Sequence, residues 1–182
     1  MNQFRLLEPQ QADEQSRELL EAVQSNLGRL PNMFKAMANS PVLLNSYNCL
    51  TASLDSSSLS SRLREQIALI VSEINSCEYC LSAHTAISKM LGMTNEDITD
   101  SRLGRSDADD TAAVLAFVAS LVNNHGQVSD EDLENIQKAG INEKQIGEIV
   151  LTVIVTILTN YFNLAARTPV DFPKVEPLTN VA

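Results

Sequence analysis

Five glycines, Gly28, Gly92, Gly104, Gly126 and Gly140, each close a stretch in which apolar residues recur with helical period. Glycine in that place supplies the left-handed residue on which helices commonly end. Start signals alternate with these stops. Pro31 and Pro41 suit first-turn positions, the latter behind Ser40 as an N-cap. Thr94 and Ser129 are each followed three residues later by an aspartate, Asp97 and Asp132, an acidic form of the capping box. The alternation predicts helices over 11–27, 31–38, 41–53, 61–75, 77–91, 95–101, 107–124, 129–139 and 142–166. Ser56 to Ser61 reads as a polar connector, and the tail 168–182, with Pro169, Pro173 and Pro177, reads as extended. With 182 residues, about one domain is expected, spanning 1–182 and built from helices alone.

One segment tests that reading. Ile149 to Leu158 is rich in β-branched residues, and propensity alone favours a strand there. The wider window keeps helical rhythm, since Ile146, Ile149, Val150, Val153, Ile154, Ile157, Leu158 and Tyr161 fall at steps of three and four. Leu151 and Val155 add apolar bulk on another face. Such a helix needs cover on most sides, from the rest of the chain or from a second subunit.

Charge narrows the function classes. Thirteen basic residues face 23 acidic ones, a formal charge of -10. Nucleic-acid binding, which needs clustered cations, and attraction to an anionic membrane are both disfavoured. Met1 to Gln10 holds no apolar run of the signal-peptide kind, and the ten greasiest residues, 149–158, fall short of the roughly 18 needed to span a bilayer. A cytoplasmic location is expected, where thiols stay reduced. No GxGxxG, GxxxxGK[ST] or GxSxG occurs, so no dinucleotide or other cofactor is expected.

The chemistry concentrates between Arg64 and Gly92. Cys77 and Cys80 stand at i, i+3, and His84 follows Cys80 at i+4, so all three share one helical face. A break at Asn75 or Ser76 would put the cysteines in a helix's first turn, where free N–H groups and the dipole favour thiolate. Glu65 lies twelve residues before Cys77. On one continuous helix the two would be about 18 Å apart. A hairpin folded at Asn75–Ser76 instead brings Glu65 level with His84, giving a relay of Glu65, His84 and a cysteine. Glu73, beside the corner, is the competing carboxylate. The cysteine pair alone also fits two core cysteines or half of a zinc site with His84 and Glu65 or His125. Structural zinc sites usually take paired ligands from two turns, and no second pair exists here. Cys49, among Tyr47 and Leu50, reads as a buried small hydrophobe. His125 reads as a helix C-terminal residue, and Asp107, Asp109 and Asp110 as the opening of a helix. No metal site is assigned.

These residues resemble the carboxymuconolactone decarboxylase family, in its alkylhydroperoxidase D-like, peroxidase-related branch. The resemblance rests on Glu65, the twelve-residue step to Cys77, Cys77-x-x-Cys80-x-x-x-His84 and Gly92. It extends to Leu30-Pro31-Asn32-Met33-Phe34 and to the run from Asn163 through Arg167, Thr168, Pro169, Val170, Asp171 and Phe172 to Pro173. It implies an all-α bundle whose central hairpin carries the CxxC motif, assembly as a trimer or hexamer, and reduction of organic hydroperoxides or hydrogen peroxide. By that similarity Cys80 attacks the peroxide and Cys77 resolves the sulfenic acid as a disulfide, while Glu65 and His84 relay the proton. A thioredoxin-like or lipoylated protein is the implied reductant. Tyr79 stands where the best-known peroxidase pattern has a second histidine, and Glu78 adds a negative charge beside the cysteines. A lactone decarboxylase, which does not depend on a cysteine pair, and a non-catalytic helical interaction module with a structural or zinc-binding pair are the alternatives.

Overall fold

The computed structural model describes residues 3–178, so Met1, Asn2 and the last four residues of the expected tail lie outside the described residues. After a short 3-10 turn at Pro9–Gln11 come nine α-helices among the described residues. They are α1 (Glu14–Leu27), α2 (Asn32–Met37), α3 (Pro41–Leu54), α4 (Ser61–Ile74), α5 (Glu78–Met90), α6 (Asn95–Arg102), α7 (Asp109–Asn123), α8 (Asp130–Lys138) and α9 (Glu143–Ala166). The fold is all-α, as expected. All five stop glycines have positive φ, between 67° and 93°. Both acidic capping boxes close, Thr94 with Asp97 and Ser129 with Asp132. Ser40 caps α3 by accepting from the Leu43 N–H.

The centre of the bundle is α4. Gln66 through Glu73 are all buried, because α5, α6, α7 and α9 pack around this helix. Ile67, Ile70 and Val71 meet Val114, Leu115 and Val118 of α7 and Ile149 and Val153 of α9 in the largest core. A second core joins Leu20, Met33, Met37 and Leu44 to Cys77, Tyr79 and Cys80. The cysteines thus belong to the second core.

The β-branched segment is helical, as its period predicts, within a helix of 24 residues. That helix is long and apolar enough to cross a membrane by composition, although the greasiest run alone fell short. Here it packs on α3, α4, α5 and α7 and buries a polar seam of Thr152, Thr156, Asn160 and Asn163 against them. Cover is incomplete, since Ile154, Tyr161 and Leu164 stay exposed.

Candidate active site

The corner between α4 and α5 is a Schellman turn. The Ser76 N–H donates to the Glu73 carbonyl at 2.9 Å and the Cys77 N–H to the Ser72 carbonyl at 3.0 Å. Ser76 itself takes the left-handed conformation, φ 52°, which glycine usually fills. The chain therefore turns back at the expected place. Asn160 of α9 pins the corner, accepting from Asn75 at 2.9 Å and donating to Ser72 at 3.2 Å.

Cys77 is the N-cap of α5, and its sulfur accepts the Cys80 N–H at 3.3 Å. The two sulfurs are joined as a disulfide, with Cα atoms 5.3 Å apart. Both cysteines are buried. One turn along α5, His84 Nδ1 lies 2.8 Å from Glu65 Oε2 of α4. An ionised carboxylate only accepts, so the nitrogen facing it carries the proton and Nε2 is left to take or give one. This pair is the more open part of the site, its side chains 21% and 16% exposed. Tyr47 of α3 packs beside it against Phe34, and burial together with the charge of Glu65 pushes its hydroxyl up to about 12. It stays a neutral donor at physiological pH.

The structure thus brings Glu65, His84, Cys77 and Cys80 to one hairpin. Glu73 is elsewhere engaged. It forms a buried ion pair with Arg102 of α6 at 2.7 Å and accepts the Leu178 N–H of the tail. His125 lies exposed beyond the end of α7, and among the described residues no group of three His, Cys, Asp or Glu side chains is placed to hold a metal.

Three residues stand differently from what the sequence suggests. Tyr79 turns from the sulfurs into the second core, where its hydroxyl accepts the Met33 N–H at 3.0 Å and its ring meets Phe172 edge-on. Burial raises its pKa, so it remains a phenol in place. Glu78 faces Lys174 of the tail at 3.4 Å, which offsets its charge near the thiols. Cys49 is exposed, contrary to the expectation of burial. It lies two residues beyond Tyr47, about 200° round α3 from the face that Leu44, Tyr47 and Leu54 turn inward.

Sequence reasoning missed one contact at the sulfurs. Asn163 of α9 donates from Nδ2 to Cys80 Sγ at 3.4 Å. Eighty-three residues separate the two, so no local pattern carries the contact.

The carboxymuconolactone decarboxylase family model matches residues 46–123, which include the hairpin. The fold is shared with a peroxidase-related protein of Ralstonia eutropha JMP134 that has the alkylhydroperoxidase AhpD core, at TM-score 0.83 and 20% identity over 93% of this chain and 92% of that one. A peroxidase-related protein from Silicibacter sp. TM1040 gives TM-score 0.75 and 25% identity, covering 94% and 90% of the two chains. The debrominase Bmp8, as a cysteine-to-alanine variant in complex with 2,3,4-tribromopyrrole, has TM-score 0.74 and 21% identity over 87% and 86%. No curated protein matches the chain. The carboxymuconolactone decarboxylase family model thus falls on the segment that holds the cysteine hairpin, and over 93% of its length the chain has the fold of the alkylhydroperoxidase AhpD core.

Proposed function

We propose that this protein is a cytoplasmic thiol peroxidase that reduces organic hydroperoxides or hydrogen peroxide through Cys80 and Cys77. The observation that carries the reading is the 2.8 Å bond between Glu65 and His84, one helical turn from a cysteine pair already within disulfide reach. In the proposed cycle His84 Nε2 takes the Cys80 thiol proton, and Glu65 steadies the imidazolium. The Cys80 thiolate attacks the hydroxyl oxygen of the peroxide. An S–O bond forms, the O–O bond breaks, and the leaving alkoxide takes the proton back from His84 as an alcohol. Sulfur is oxidised by two electrons to a sulfenic acid, and the peroxide is reduced. Cys77 then gives up its thiol proton and attacks Cys80 Sγ, and the leaving hydroxide takes up that proton as water. A dithiol on a thioredoxin-like or lipoylated protein returns two electrons and two protons to the disulfide.

Two substitutions test the assignment of the sulfurs. Cys80→Ser is expected to abolish peroxide-dependent loss of site thiols, and Cys77→Ser to leave a sulfenic acid that a dimedone probe captures. Full activity in both variants would refute the mechanism and return the choice to a lactone decarboxylase. Stoichiometric zinc in the reduced protein would instead favour the interaction module.

A further inference from the structure

Asn163 is 3% exposed, and its two amide ends are in different situations. A disulfide sulfur can only accept, so the end facing Cys80 is the nitrogen, as the 3.4 Å contact has it. The other end, Oδ1, is buried with no hydrogen-bond partner among the described residues. Buried carbonyl oxygens are almost always satisfied, and one left without a partner beside a reactive sulfur calls for an explanation. The backbone that carries this amide is also held. The Thr168 N–H donates to the Asn163 carbonyl at 3.1 Å, closing the last turn of α9 on Arg167, which adopts φ 53°. One turn back, Asn160 is fixed to the corner through Asn75 and Ser72.

We propose that Asn163 is a catalytic residue that handles both reacting atoms: Nδ2–H stabilises Cys80 as thiolate, and Oδ1 accepts a hydrogen bond from the hydroxyl of the incoming hydroperoxide. This rests on the peroxidase reading above. A hydrogen bond that is weak to a disulfide sulfur becomes charge-assisted when that sulfur is an anion. Because the two amide ends share one planar group, a peroxide held by Oδ1 has its hydroxyl oxygen beside the sulfur that attacks it. As the S–O bond forms, that same O–H becomes the sulfenic acid hydroxyl and can keep its acceptor. The ligand class is therefore a peroxide with a free hydroxyl, and a dialkyl peroxide lacks the O–H donor that Oδ1 would accept from.

The test uses the full chain with Cys49→Ser and Cys77→Ser, which leaves Cys80 as its only thiol. The pH dependence of iodoacetamide alkylation reports the thiolate, and single-turnover sulfenic acid formation with cumene hydroperoxide reports the reaction. Asn163→Leu should raise the thiolate midpoint by about one pH unit. It should also slow oxidation about ten- to hundredfold above that midpoint, where thiolate is saturated. Asn163→Asp, nearly isosteric and able to fold where leucine fails, should raise the midpoint by about one to three units through like charge. A packing role alone would lower thermal stability and leave the midpoint in place. Unchanged midpoints and saturated rates in both folded variants would overturn the proposal. A parent that alkylates normally yet never reacts with hydroperoxide would overturn the peroxidase reading, and the peroxide half of this proposal with it.

Discussion

Tyr79 occupies the place where a second imidazole would stand, and its hydroxyl is committed to the Met33 N–H instead. Tyr79→Phe leaves that buried donor unpaired, so the variant should lose about 1–3 kcal/mol in urea denaturation while peroxide-driven oxidation proceeds at the parent rate. Glu65 has the opposite profile. Glu65→Gln keeps an acceptor for His84 but loses the charge that balances an imidazolium, and stopped-flow oxidation is expected to slow by roughly a hundredfold with little change in melting temperature. The two residues also mark what a sequence can disclose. Glu65, His84 and the cysteines lie within one hairpin, so rise per residue was enough to bring them level. The partners of Tyr79, Glu73 and Cys80, namely Met33, Arg102 and Asn163, come from other helices and follow no local spacing. Cys49 shows the converse error, because apolar neighbours in sequence lie on different faces of a helix.

Helix boundaries were legible for a similar reason. Stop glycines and capping boxes act within a few residues, and nine predicted helices correspond to nine observed among the described residues. The corner at Ser76 was legible only by hydrogen-bond logic, since no glycine marks it. The boxes also bear on acid stability. Hydrogen bonds from Thr94 to Asp97, and from Ser129 to Asp132, hold both carboxyls below the usual aspartate range. Their contribution is complete above the unfolded pKa and is lost as pH falls through the folded one. Asp97→Asn with Asp132→Asn should therefore flatten the acid limb of a stability-pH curve and leave its alkaline side in place. Arg102 joins α6 to α4 and the tail, pairing with Glu73 and donating to the Glu176 carbonyl at 2.8 Å. Arg102→Met strands a buried carboxylate and should cost about 3–5 kcal/mol in chemical denaturation.

At the scale of the whole molecule, α9 has two contrasting faces. Its inner face carries the polar seam that ends at Asn163, and its outer face leaves Ile154, Tyr161 and Leu164 in the open. A second copy of the chain is the cover we propose for that face, in keeping with the trimer or hexamer that the family resemblance implies. Ile154→Glu with Leu164→Lys should shift native mass spectra toward the monomer, and an unchanged spectrum would place any contact elsewhere. Across the other face the tail acts as a strap, with Asp171 bound to Arg29 at 2.8 Å and the Val175 N–H donating to Ser82 of α5 at 2.9 Å. The corner and Asn163 of α9 meet at the two sulfurs, whose chemistry decides the mechanism. The most direct measurement is peptide-level mass spectrometry of the fully reduced protein after one equivalent of hydroperoxide. The expected result is loss of two hydrogens confined to a peptide linking Cys77 to Cys80, with Cys49 still a thiol. Unaltered site cysteines, or oxygen added only at exposed Cys49, would contradict it.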